Sequence, residues 1–142
     1  MMIRHYGTAV MTSNFSGTVA KSLVASLNET SRTPIIAAVS STGILSTHDL
    51  LPLVLKPLYR GLLKQPHQDK IDMENTISND YAGKWVIVRG ALFKDGKRTG
   101  TYRVGETEVG YTIRRTDVAD FIVRGVIDGE GEWLGKRPVV VY

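Results

Sequence analysis

Ile35-Ile36-Ala37-Ala38-Val39-Ser40-Ser41-Thr42-Gly43 is the stretch on which the reading of the fold turns. A short apolar run passes into hydroxyl residues and a glycine, the pattern of a buried strand whose carboxyl end opens into a polar loop. Trp85-Val86-Ile87-Val88-Arg89 and Pro138-Val139-Val140-Val141-Tyr142 repeat the apolar run. Helical spacing fills the intervals. Val19, Ala20, Leu23, Val24 and Leu27 share one stripe, Lys70, Met73, Glu74 and Ile77 a second, and Val118, Phe121, Ile122 and Val126 a third. Strand-length runs alternating with amphipathic stretches predict a three-layer α/β domain. Its parallel strands fall near 35–39, 85–89 and 138–142, and its helices near 13–28, 66–79 and 116–128. Ligands of such sheets sit at the carboxyl ends of the strands, where Ser40, Ser41 and Arg89 fall.

Local signals refine this outline. Thr12 or Ser13 is suited to cap the first helix and Thr116 the last, and Gly129 follows the end of the last. Pro66 suits a first helical turn, and Asp69 would complement the amino end of the same helix. Asp95-Gly96 marks a turn, after which residues 101–104 and 109–113 can pair as an antiparallel ribbon. Residues 44–65 are apolar but interrupted by Pro52, Pro57 and Gly61, which predicts short helical pieces. Such a segment could wall a substrate pocket, or pack in the core or at a dimer surface. Gly129-Glu130-Gly131-Glu132-Trp133-Leu134-Gly135 follows a helix and carries two acids that would repel phosphate, so it reads as a surface turn and not a phosphate loop. Arg114, Arg115 and Asp117 read as polar contacts at a helix start.

Composition bounds the function. A chain of 142 residues with 42% hydrophobic content supports a single domain with one core. The absence of cysteine excludes disulfides and thiolate chemistry. His5, His48 and His67 lack metal-ligand spacing, so no metal site is expected. The net charge of +4 is scattered from Arg4 to Arg137 among acids, which argues against nucleic acid as a partner. The stretch Met1-Met2-Ile3-Arg4-His5-Tyr6 lacks the apolar core of a secretory signal. Leu50 to Leu63 contains Pro52, Lys56, Pro57 and Arg60 and is too short to span a bilayer, so a soluble cytoplasmic protein without a membrane partner is expected.

Five segments in this order resemble the atypical short-chain dehydrogenase/reductases, in particular the NmrA-like group and the branch of flavin and biliverdin-IXβ reductases. They are Val39-Ser40-Ser41, the helix with Asp69-Lys70-Ile71-Asp72-Met73-Glu74, the strand Trp85 to Arg89, the stretch from Asp95-Gly96 through Thr99-Gly100-Thr101-Tyr102-Arg103-Val104, and the run Arg114 to Val123. A narrower likeness is to short oxidoreductase-like proteins of fungal polyketide and mycotoxin clusters, the averufin oxidase group.

The resemblance implies a Rossmann-like domain that binds NADP or NAD and an oxidoreductase that acts on an aromatic or polyketide-type small molecule. It places Ser40 and Ser41 against the nicotinamide and substrate, Lys70 on the ribose hydroxyls, and the Arg89-Gly90 backbone at the nicotinamide amide. Ser41 and Lys70 are the catalytic candidates it implies. Family members commonly carry Arg-Pro where this chain has Arg89-Gly90. They also pair the lysine with a tyrosine four residues earlier, and that position is Pro66, which has no proton to give. His67 and Tyr59 lie near in sequence but outside the helical register needed to replace it. The strand, Gly-rich turn and helix that hold dinucleotide phosphates in the family have no counterpart before Ile35, so the domain is expected to be incomplete at its amino end. Two further readings follow, a non-catalytic NmrA-like regulatory or interaction module and a truncated reductase. The missing strands predict self-association or a partner subunit.

Overall fold

The strand β1 (Ile36–Ser41) lies parallel to β2 (Trp85–Gly90) in a register that sets Ile36 against Trp85 and Val39 against Val88. The computed structural model describes residues 15–30, 33–44 and 64–142. On its other side β2 pairs in parallel with the carboxyl-terminal strand Val139–Val141, and that strand pairs antiparallel with Arg103–Gly105. In chain order the strands are β1, β2, β3 (Leu92–Lys94), β4 (Arg103–Gly105), β5 (Thr112–Arg114) and β6 (Val139–Val141). The main sheet therefore runs β1-β2-β6-β4, and β3 and β5 form a small parallel pair beside it.

Helices cover both faces. The helix α1 (Phe15–Asn28) packs against α2 (Lys64–Asp80) on one face, where Ala20, Val24, Ile36, Met73, Ile77, Tyr81 and Ile87 form a core. On the other, α3 (Arg115–Phe121) supplies Val118 and Phe121 to a second core with Val86, Val88, Ile113 and Val140. Strand periodicity sorts the residues of β2. Ile87 faces α1 and α2, while Val86 and Val88 face α3. This is the three-layer α/β arrangement that the alternating runs predict.

Several local expectations give way to tertiary contacts. The two segments foreseen as a ribbon part company. β4 joins β6, while β5 joins β3. The reason is the all-buried Val139-Val140-Val141 strand, whose second edge needs a partner. Arg103 ties β4 to that edge by donating to the Val109 and Tyr142 carbonyls at 2.7 and 2.8 Å and to Glu108 at 2.8 Å. Thr116 does not cap α3. The helix starts at Arg115, and Thr116 Oγ1 donates to the Gly96 carbonyl at 3.0 Å. Beyond Phe121 the helix widens into a π turn over Ile122–Ile127, with the Phe121 ring lying over Gly125 where a β-carbon would stand 2.6 Å away.

Asp69 serves a different helix from the one predicted. Its carboxylate accepts from the backbone N–H groups of Ser16 and Gly17 at 2.9 and 2.8 Å, satisfying the amino end of α1. Burial alone would raise its pKa, but the hydrogen bonds from Gly17 and Ser16 outweigh it and hold the carboxyl below its ordinary value. Gly17 allows the close crossing, since a β-carbon there would stand 3.0 Å from Asp72 Cβ. Thr12 and Ser13, the residues foreseen as caps, lie outside the described residues, as do 45–63 with Tyr59 and most of the apolar segment.

Candidate functional site

The site is built where β1 and β2 end together. Ser40 has the parity of Ile36 and therefore faces the α1 and α2 layer, fully buried, and its Oγ has no hydrogen-bond partner. Thr42 follows the strand, its N–H donating to the Gly90 carbonyl at 2.8 Å while its Oγ1, also buried, is unpartnered. Ser41 is half-buried and its hydroxyl donates to the Thr42 carbonyl at 3.1 Å. Gly43 turns the chain with a φ of 83°, a conformation that favours glycine. Each buried hydroxyl without a partner costs about 1–3 kcal/mol, so two adjacent ones at the ligand end of a sheet are an outlier.

Lys70 reaches this corner from α2. Its ammonium donates to the Val39 carbonyl at 3.4 Å across the edge of β1. One helical turn further on, Glu74 is buried and meets Arg89 through two hydrogen bonds, Nε to Oε1 at 3.1 Å and Nη2 to Oε2 at 2.7 Å. Arg137 approaches Oε2 at 3.4 Å and lies over the Trp85 ring at 5.0 Å. The Arg89 side chain thus points into the α2 layer, clamping helix to strand, while the Arg89 backbone N–H donates to the Pro138 carbonyl at 2.8 Å. Gly90 has a packing reason as well. A β-carbon there would lie 2.6 Å from the Phe93 ring and 3.0 Å from Ile113, so only glycine lets β3 and β5 close over the end of β2.

Ser40, Ser41, Lys70, Arg89 and Gly90 are therefore gathered at one corner, with backbone groups of Arg89 and Gly90 already engaged in the sheet. On the α3 face of the same corner lies a cleft of about 410 Å³, lined by Val39, Lys70, Phe93, Arg115, Val118, Ala119 and Ile122. Its floor is apolar and its two cations stand at the rim. Arg115 pairs with Asp95 at 2.5 Å and sits over Phe93 at 5.9 Å. His67 is half-buried and engaged in an interaction of its own.

Thr42 is missing from the set that sequence reasoning selects, because nothing in a Ser-Ser-Thr-Gly string tells which hydroxyls a fold buries. Asp117 is a larger surprise. Read as a helix-start contact, it is fully buried and accepts from Thr99 N–H at 2.8 Å, Gly100 N–H at 2.9 Å, Thr99 Oγ1 at 2.9 Å and the Tyr142 hydroxyl. Burial pushes its pKa upward, and the hydrogen bonds, led by Tyr142 and Gly100, more than reverse this and bring it down to about 2. Asp117 so locks the 95–101 loop and the end of the chain onto α3. Asp120, one turn on, accepts from Arg98 at 2.5 Å and Tyr102 at 3.0 Å. Burial first and the Asp120 carboxylate second push the Tyr102 phenol up to about 12, so it stays protonated.

Among the described residues no helix is long and apolar enough to cross a membrane. Two curated fungal proteins are similar in sequence. The reductase pytE of Aspergillus terreus is 35% identical over 131 residues, covering 80% of this chain and 50% of that protein. The oxidase pynE of Aspergillus niger is 30% identical over 122 residues, covering 73% and 43%. The chain thus spans about half the length of the curated relatives it matches.

Solved structures share the fold. A short-chain dehydrogenase/reductase of Veillonella parvula in complex with NADP superposes with a TM-score of 0.72 at 17% identity, over 89% of this chain and 58% of that one. ChuY, an anaerobilin reductase of Escherichia coli, gives 0.72 at 16% identity over the same shares. Residues 7–128 match the family model described as NAD(P)H-binding. With that match over most of its length and a Rossmann-like sheet, this chain belongs to the NAD(P)H-binding family.

Proposed function

We propose that the chain is an NAD(P)H-dependent oxidoreductase of the atypical short-chain dehydrogenase/reductase type, acting on an aromatic or polyketide-type small molecule in secondary-metabolite biosynthesis. The observation that carries this reading is the pair of buried, unpartnered hydroxyls, Ser40 Oγ and Thr42 Oγ1, at the carboxyl end of β1. A hydroxyl- and amide-rich ligand supplies what they lack, so the residues present fit the nicotinamide-ribose end of the cofactor. Bound there, a nicotinamide supplies the hydride. Ser40, Ser41 and the end of β2 at Gly90 would line that end, and Lys70 would leave its 3.4 Å contact with the Val39 carbonyl to donate to ribose hydroxyls.

Arg89 serves as a positioning residue. Its buried pair with Glu74 fixes α2 against β2 one turn from Lys70 and so sets where the ammonium can reach. The apolar floor of Val39, Val118 and Ile122 beside these groups suits a flat, weakly polar substrate. The fungal relatives, named a reductase and an oxidase, support the oxidoreductase reading.

Calorimetric titration with NADPH, NADP, NADH and NAD tests the reading and separates the two cofactor classes. Binding is expected, and K70A should weaken it by about 1–3 kcal/mol, the range of a hydrogen bond to a charged group. No binding of any of the four would overturn the proposal. A second reading rests on Pro66, which stands where the family's proton-donating tyrosine would be. It is a dinucleotide-sensing, non-catalytic module like the NmrA group. Cofactor binding without oxidation of NADPH in the presence of quinones and aromatic ketones would select it.

A further inference from the structure

The cleft on the α3 face selects its ligand by charge as well as by shape. Val39, Val118, Ala119 and Ile122 give it an apolar floor, and its charged lining residues, Lys70 and Arg115, are both cations. Among the described residues no acid lines it. A ligand that covers a cation beside apolar surface strips water from it, so the site favours a ligand that returns a negative charge and opposes one that does not. Lys70 has its place at the ribose hydroxyls in the reading above, which leaves Arg115 for the substrate.

Arg115 is weakly tied to the fold. It opens α3, where the helix dipole disfavours a positive charge. Its neighbour Arg114 has a structural task, since it donates to the Lys97 carbonyl at 2.9 Å. Among the described residues Arg115 makes one hydrogen bond, from Nη1 to Asp95 Oδ1 at 2.5 Å, and the two side chains are 60% and 91% exposed. A pair so open to water adds little to stability. The Phe93 ring, its centroid 5.9 Å from the guanidinium carbon, supports the head group at the cleft wall. The Asp95 side chain can swing away without disturbing its loop. That loop is held by Asp117 on the N–H groups of Thr99 and Gly100 and by Thr116 on the Gly96 carbonyl.

We propose that Arg115 is the specificity-determining residue of the cleft and that the substrate is an aromatic carboxylate, its rings on the apolar floor and its carboxylate in the place of Asp95 on the guanidinium. The inference rests on the cleft being the substrate's place, and it adds the charge that the substrate carries. A substrate carboxylate can engage two guanidinium nitrogens where Asp95 engages one, and the apolar floor withdraws it from the water that screens Asp95. A phenol, with an ordinary pKa of about 10, is uncharged at neutral pH and gains less.

An acetylnaphthoic acid and its methyl ester share rings and ketone and differ by one charge. Calorimetry with each, without and with NADP, reads the preference, and titration with NADPH alone reads the cofactor site separately. The acid is expected to bind at least about tenfold more tightly than the ester, as a charge-assisted hydrogen bond gives, and the margin should shrink as salt rises. R115A should remove the margin while the affinities for ester and NADPH stay unchanged, which also reports an intact fold. R115K should keep part of the margin, and D95N should widen it by removing the competing carboxylate. A margin that R115A abolishes in a protein that binds no dinucleotide would sink the oxidoreductase reading and leave the carboxylate site standing. No binding of the acid, equal affinity for acid and ester, a margin that survives R115A, or an R115A that weakens NADPH and not the acid, which would assign Arg115 to the cofactor's phosphates, overturns the proposal.

Discussion

Val39 and Val88 face each other in adjacent strands of one sheet, are the same amino acid, and have opposite surroundings. Val88 is fully buried under α3, whereas Val39 is 39% exposed. The contrast extends to their strands. β2 is buried along nearly its whole length between two helical layers, and β1 alternates between buried and exposed positions at the rim. Each strand has four apolar residues of six, so the apolar count does not separate the closed side of this molecule from the open side, and position in the sheet does.

The largest expected effect lies on the closed side. Glu74→Ala strands the buried Arg89 guanidinium without its carboxylate, and a loss of about 3–5 kcal/mol is expected in urea unfolding. A loss below about 1 kcal/mol would show that the clamp between α2 and β2 is looser than its two hydrogen bonds suggest.

The register pair gives the cleanest comparison. Val88→Ala should cost about 2–3 kcal/mol through lost burial and the cavity left behind, and Val39→Ala about 0.5 kcal/mol or less when unfolding is measured at low protein concentration. Equal costs would dissolve the distinction between closed and open sides.

Asp117 sharpens the comparison through pH. Its folded pKa of about 2 lies below the ordinary 3.8, so its contribution to stability is fully present above 3.8 and is lost as pH falls through that window toward 2. Asp117→Asn should lower stability at neutral pH by about 1–3 kcal/mol and flatten the acid limb of the profile. An unchanged acid limb would mean that the 95–101 loop is held by something else. A small effect is expected at Thr116 as well. Its hydroxyl reaches Gly96 from an exposed position, and Thr116→Ala should cost about 1 kcal/mol or less, to be read from the same urea titration.

Much of the fold was legible. Three apolar runs and three amphipathic stretches gave the strands β1, β2 and β6 and the helices within a few residues, because burial on both faces writes a continuous hydrophobic signal. The short strands were not legible in their pairing. β4 and β5 are three residues each and carry no pattern strong enough to choose a neighbour, so the exposed edge of β6 and the arms of Arg103 chose for them. The recipients of Asp69 and Asp117 were not legible for a related reason. A carboxylate near a helix start satisfies its own helix or a distant backbone equally well in sequence, and only the packing of α1 on α2, or of the 95–101 loop on α3, selects the recipient.

The sequence by itself determined the α/β class through its periodicity and the family through its resemblance to known reductases, and it put Ser40, Ser41, Arg89 and Gly90 at strand ends that any such sheet brings together. Tertiary structure alone decided that Arg89 turns inward to Glu74, that Gly90 makes room for Phe93, that Ser40 and Thr42 keep buried hydroxyls without partners, and that among the described residues β1 is the last strand of the sheet. Those outcomes depend on which groups the packing of distant elements brings within hydrogen-bonding or van der Waals reach, and local sequence carries no geometric information about that packing.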